Sequence, residues 1–407
     1  MKQGSGRLRG LAQVRLGFIL LVIGVQSLEV SQSFGRLAYT PMWILGPAAI
    51  AGLFACLGFS LAVSRVERDS LEFIARSAIR TVPAILFAVI GAFAVLGPLV
   101  SSIAVREYFT RGESWAYLLN LALLPRLALP GVFEFNNLTN VVNEITWVLP
   151  AFVLTVASAF AVTRRRRNVM LVGGTLTILL AAGLADYAGL LSDPFAFSST
   201  HRFLARSIGA IAAGQFGIGC FLLRDRVAVS LPLAVAAAAL VGAIAVFGNR
   251  SWAGMFLAQY GIGVICGYFA IYAATLRLPS PAGVSLLAPL FAPLFAFSFP
   301  IQQLVIQFGS RDQSGLMNFI IALPLTVLLG LTFEMLIARP LSALLYRHAA
   351  MPPPAPLQLA NLSPNRNVLR QRLGEQVPTI LILMLLITFV LAALALTVFA
   401  MQPTSGG

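Results

Sequence analysis

The sequence predicts an all-α fold, that of a polytopic helical membrane protein, and three observations carry the prediction. Apolar runs of about twenty residues recur from one end of the chain to the other, the length that takes a helix through a hydrocarbon core. Of the 407 residues 58% are hydrophobic and only 10% charged, too few charges to cover a soluble domain of this size. Lipid offers the backbone no hydrogen-bond partners, so spanning segments are helices or a closed barrel, and strand-like alternation is absent.

Eleven spans follow, near residues 16–32, 43–63, 81–104, 141–163, 169–186, 205–223, 227–247, 252–275, 283–307, 316–338 and 377–401. The first follows a basic N-terminus, as a secretory signal would. No small-x-small cleavage site comes after it, "LEVSQSFGR" being a poor substitute, so it reads as a retained helix. Arg65 closes the second span, Arg76 and Arg80 precede the third, and Arg164 to Arg167 close the fourth. Arg277 and Arg339 close the eighth and tenth, and the last span is uniformly apolar.

With the N-terminus placed in the cytoplasm, twenty of the 28 Lys and Arg residues face inward. That is the positive-inside asymmetry, and it puts the C-terminus outside. The net charge of +14 is therefore mainly topological and points away from nucleic acid as a partner. Cys56, Cys220 and Cys266 all fall within spans and read as buried small residues rather than disulfides or metal ligands. No CxxC, HExxH or Walker-type loop occurs, so neither a metal site nor nucleotide hydrolysis has support, and no bound cofactor is expected.

Two connections are long. Residues 105–140 are rich in leucine and aromatics but interrupted by Pro125, Arg126 and Pro130, which predicts an interfacial or re-entrant segment. Residues 347–376, with "MPPPAPLQ", predict an extended linker. The chain divides accordingly into a ten-helix core over 1–346, the linker over 347–376, and a further helix with its tail over 377–407. No internal repeat is visible, which weakens a transporter as the function.

Several local patterns resemble, in chain order, the acyltransferase-3 family of integral membrane O-acyltransferases. That family places an arginine, ten residues and a histidine on its first helix; here Arg15 stands in place and Gln26 holds the histidine's position. Its second helix ends in an SGF-like turn; here "LFACLGFSLA" keeps Gly58 and Phe59, with Leu57 for serine. Arg76, Arg80 and Pro83 match its basic pair before a proline. "LPGVFEFNNLTNVVNEITWVLPAF" keeps Pro130, Gly131, Phe133, Asn136, Asn143, Trp147 and Pro150, with Phe152 where the family has glutamate. "FAFSFPIQQL" and "ARPLSALLYR" resemble two closing motifs, Ala338 replacing a glutamate.

The resemblance, over about Arg15 to Arg347, implies a bacterial cytoplasmic-membrane protein that takes an acyl group, commonly acetyl, from acyl-CoA. The acceptor it implies is a hydroxyl of a surface or exported glycan. It assigns Arg15, Arg76 and Arg80 to the anionic donor and Asn143 and Trp147 to the acceptor or acyl pocket. Arginine forks suit CoA phosphates, and Arg76 and Arg80, four apart, share a helical face. An interfacial Trp147, and positive-inside anchoring of Arg76 and Arg80 with pairing to Glu67, Asp69 or Glu72, are the structural alternatives.

Catalysis is where the chain departs. Positions eleven apart on a helix share a face and lie roughly 16 Å apart, so Arg15 sits near one surface and Gln26 well inside the bilayer. A histidine there would accept the acceptor hydroxyl's proton; a glutamine amide cannot. Gln26 is either a remnant of that site or a helix–helix hydrogen bond. Glu29, within about 40° of the same face, is a candidate substitute base or a solvated helix-end carboxylate. His201 and His348 are the chain's only histidines, one at an outer helix end and one in the linker. Glu334 is an ionisable residue within a span, with Arg339 about one turn away as partner. The rival to an active transferase is a silent relative that binds acyl-CoA or a partner in glycan assembly.

Overall fold

The computed structural model describes residues 10–31, 41–67, 70–124, 126–161, 172–177, 199–223, 230–248, 254, 256–275, 288–309 and 313–348. Of the expected linker over 347–376, Arg347 and His348 end a helix and the rest lies outside the described residues, as do the expected span over 377–401, most of 169–186 and Arg164 to Arg167. Among the described residues the fold is all-α, with two isolated antiparallel bridges, Ser101 to Val132 and Ala128 to Val141.

The helices are α1 (Gly10–Val30), α2 (Leu45–Glu67), α3 (Ser70–Gly91), α4 (Val105–Thr110), α5 (Gly112–Ala116), α6 (Val148–Ala161), α7 (Ser199–Leu222), α8 (Leu231–Phe247), α9 (Ile262–Thr275), α10 (Phe291–Phe308), α11 (Gly315–Phe333) and α12 (Arg339–His348). Three π-helical turns extend them: Ala92–Leu96, followed by the α-helical turn Gly97–Val100, prolongs α3, Leu257–Gly261 leads into α9, and Glu334–Ala338 joins α11 to α12. Five segments are long and apolar enough to cross a membrane: Gly10–Val30, Leu45–Arg65, Glu72–Val100, Ala288–Phe308 and Gly315–Leu345. Those are the helices of an integral membrane protein. Val148–Ala161, Ser207–Leu222, Leu231–Phe247 and Ile262–Ala274 are shorter apolar helices.

Two expectations are corrected. The third helix begins at Ser70, not at residue 81. Its first turns are charged and escape a hydropathy window, yet Glu72 suits a helix N-terminus and pairs with Arg76 one turn on. The "LFACLGFSLA" stretch is not a turn at a helix end; it lies inside α2, which runs on to Glu67.

Gly58 has a packing reason instead. A Cβ there would lie 2.0 Å from the Gly214 carbonyl oxygen, and one at Gly217 would lie 2.0 Å from that of Ala55. The backbones of α2 and α7 therefore touch, the close approach that small residues permit in membranes. Around this contact α2 also packs on α1, α6 and α9. On the other side α1 lies against α10 and α11. The helices α1 and α10 run parallel, since Arg15 meets Phe291 and, further along both, Gln26 meets Ser298.

Residues 101–147 contain short helices and turns rather than a spanning helix. Tyr108, Tyr117, Leu129, Val132, Phe133 and Val142 bury themselves with Val89 and Phe93 from the end of α3 and its π turn. The turn at Gly131 takes φ of 71°, the left-handed region glycine favours. Cys56, Cys220 and Cys266 are buried free thiols.

Candidate functional site

A cavity of about 150 Å³ opens among α1, α2, α3, α6 and α10. Arg15, Thr81, Asn143 and Thr146 are its polar walls; the rest is apolar, including Ile19, Leu57, Ala88, Phe152, Phe291 and Phe295. Arg15 and Thr81 mark one end. On α3, Ala88 and Val89 lie about two turns beyond Thr81, roughly 10–12 Å deeper. The void is thus longer than it is wide, with a guanidinium at one end.

Arg15 is held unusually. Its guanidinium carbon sits 5.3 Å from the centroid of the Phe291 ring, a cation–π contact. Its Nε is buried and meets no acceptor. No carboxylate pairs with it among the described residues, and the charge that reaches it from α3 is that of Arg80, of the same sign. A half-buried cation facing a cavity and a like charge, its Nε out of reach of water, meets no anion among the described residues that would compensate its desolvation.

The far end is built by a proline. Pro300 sits inside α10 and has no N–H, so the Ala296 carbonyl four residues back loses its helical donor. Asn143 supplies one: its Nδ2 donates to the Ala296 oxygen at 3.1 Å. Thr146 Oγ1 donates to the Asn143 carbonyl at 3.1 Å and fixes the 3₁₀ turn Glu144–Trp147. Gln303, one turn from Phe299, anchors the strand of loop leading there. Its Nε2 donates to the carbonyls of Leu138 (3.1 Å) and Val141 (2.9 Å), and its Oε1 accepts from Asn136 Nδ2 at 2.8 Å. Asn143 is thereby delivered to the cavity wall by the "FPIQQL" segment.

The other candidates lie elsewhere. Gln26 is buried outside the cavity, its Oε1 accepting from Ser298 Oγ at 3.2 Å. Around it Gln302 Nε2 donates to the Ile23 carbonyl at 2.8 Å and Asn318 Nδ2 to the Gln302 carbonyl at 3.0 Å. This is a polar seam joining α1, α10 and α11. Glu29 is half-buried and absent from the cavity wall; its carbonyl accepts from Asn137 Nδ2 at 3.3 Å. Arg76 is buried against Glu72, with Nε 2.7 Å from Oε1, and does not line the cavity. Arg80 is exposed beside it, its charge felt by both Arg15 and Glu334. Glu334 meets Arg339 at 3.5 Å across the π turn. Trp147 is 2% exposed in the core with Ile44, Ala48 and Ile211, so it is neither interfacial nor a cavity wall. The side chains of His201 and His348 lie outside those described.

Phe152 and Leu57, which stand where the family patterns carry glutamate and serine, both line the void. Residue-by-residue reading missed Thr146 and Phe291. Pro300 carries the signal for Asn143, since a proline inside an apolar helix requires some side chain to serve the carbonyl it frees.

Fold and site together define an integral membrane protein with, among the described residues, a largely apolar cavity lined by one half-buried arginine. Comparison with protein-family models, with characterised proteins and with solved structures finds no match to this chain.

Proposed function

We propose that this chain is an integral membrane acyltransferase of the acyltransferase-3 type, with its N-terminus in the cytoplasm and eleven spans, which passes an acyl group from acyl-CoA to a glycan hydroxyl. One observation carries the donor site: Arg15 is half-buried at a cavity wall, its Nε is buried without an acceptor, and no carboxylate among the described residues pairs with it. A phosphate or the polarised thioester end of an acyl-CoA supplies the missing negative charge. Arg80, exposed nearby, adds to the attraction. The acceptor hydroxyl meets the acyl carbon at the Arg15 end, and Asn143 and Thr146 give the opposite end its polarity. In the transfer the hydroxyl oxygen bonds to that carbon, the carbon–sulfur bond breaks, and CoA leaves as the thiol. Neither carboxylate nor imidazole lines the cavity among the described residues, so the hydroxyl proton goes to the departing thiolate or through water.

A second reading is favoured by a separate observation. Gln26 and Glu29 both lie off the cavity wall, which fits a relative that binds the donor without turning it over and serves glycan assembly as a partner. Purified protein in lipid nanodiscs, given radiolabelled acyl-CoA and surface glycan, separates the two. Label passing to glycan in the wild type but not in Arg15→Gln is the expected result. Saturable, Arg15-dependent binding without transfer would establish the silent relative, and no binding would remove both.

A further inference from the structure

The cavity's size and walls set the kind of acyl group it holds, an inference that rests on the donor-site reading above. Its volume of about 150 Å³ equals that of an apolar protein cavity that stays dry and accepts a benzene-sized guest, about six carbons. Fifteen of the nineteen lining side chains are apolar. An acetyl group would leave most of that space empty and forfeit its dispersion contacts. The pantetheine arm of CoA carries two amides, which such walls would strip of hydrogen bonds. A chain of twelve or more carbons exceeds the volume about twofold.

We infer that the cavity takes the hydrocarbon tail of a medium-length acyl group, about six carbons, with its thioester end towards Arg15 and its methyl end towards Ala88. Phe152 on α6 and Ala88 on α3 limit its length and width. Leu57 and Phe152, apolar where the resembling family carries polar groups, make these walls suited to hydrocarbon.

Competition against radiolabelled hexanoyl-CoA in nanodiscs tests this, with free CoA and acyl-CoAs of two to twelve carbons. Affinity should rise by up to about fourfold per added carbon until near six, then fall by tenfold or more at ten to twelve. Ala88→Phe should move the optimum to shorter chains and Phe152→Ala to longer ones. A flat, Arg15-dependent profile, unchanged in both variants, would overturn the size class while leaving the donor site intact. If no acyl-CoA binds, 1-hexanol provides the second readout. Should it raise the melting temperature more than 1-propanol or 1-decanol, and lose that advantage in Ala88→Phe, the cavity's size class stands and the donor falls. No alcohol effect and no acyl-CoA binding would overturn both.

Discussion

The two halves of α1 meet the same neighbour, α10, in opposite ways. Near its start, Arg15 lies over Phe291 beside a void, its Nε without an acceptor and the like charge of Arg80 close by. Eleven residues on, Gln26 is packed against Ser298, which donates to its amide oxygen. The helical spacing puts both on one face, as expected, but only one of them faces a cavity. A polar group inside a membrane protein can be held by its neighbours or kept for something that arrives. The seam around Gln26 is the first kind, and the proposed function makes Arg15 the second.

That contrast gives its largest effect at Arg15. Replacing it by Gln removes the charge a donor anion would meet, and donor affinity should fall about a hundredfold, the scale of a desolvated charge-assisted pair. The same change relieves a half-buried cation that meets no carboxylate among the described residues, so the ligand-free protein should melt no lower than the wild type. Weaker binding with preserved or raised melting temperature is the signature of a residue held for ligand. A large drop in melting temperature would make Arg15 a structural element like the seam.

Next comes Gln303, which holds three partners at once. Gln303→Leu removes a donor from the Leu138 and Val141 carbonyls and one of the two acceptors of Asn136 Nδ2, which keeps its bond to the Gln303 carbonyl. Buried groups left unmade cost about 1–3 kcal/mol each before water relieves them. Unfolding free energy should drop by about 2 kcal/mol, with donor affinity falling too because the loop presents Asn143. Stability lost at constant affinity would show that the loop does not shape the cavity.

Smaller, and sharper, is the coupling between Asn143 and Pro300. Asn143→Ala leaves the Ala296 carbonyl without its 3.1 Å donor, at a cost of about 1 kcal/mol. In a Pro300→Ala background the restored backbone N–H serves that carbonyl, and the same Asn143→Ala change should cost close to nothing. A double-mutant cycle measures the difference directly, about 1 kcal/mol of coupling. Additive effects would mean that Asn143 is kept for the ligand alone.

How far the sequence shows all this differs by feature. The all-helical class and the first, second, ninth and tenth spans follow from apolar run length, since a membrane helix advertises itself along one contiguous stretch. The Glu334–Arg339 pair follows from their spacing. The early start of α3 does not, because its first turns are held by an ion pair and not by hydropathy. Trp147 has the look of an interfacial anchor until neighbours distant in sequence, Ile44 and Ile211, enclose it. The cavity was legible only at Arg15 and Asn143, on resemblance; its walls come from five helices whose contacts no local pattern encodes. Gln26 was singled out rightly as buried and polar, yet what it touches depends on the packing of α1 on α10.

The smallest effect should come from the substitution that the family pattern makes most tempting, Gln26→His. An imidazole is close in size to the glutamine side chain, and a ring nitrogen can take the hydrogen bond from Ser298. The change should therefore cost no more than about 0.6 kcal/mol, the mean strength of a hydrogen bond between membrane helices. Because Gln26 does not line the cavity, donor affinity and transfer rate should both stay within twofold of the wild type. A base has to lie within hydrogen-bond reach of the proton it takes, directly or through one water, and Ser298 fills the place beside Gln26. A tenfold gain in transfer would require the seam to open and join the cavity when donor binds. The two halves of α1 would then be parts of one active site, separated only while it is empty.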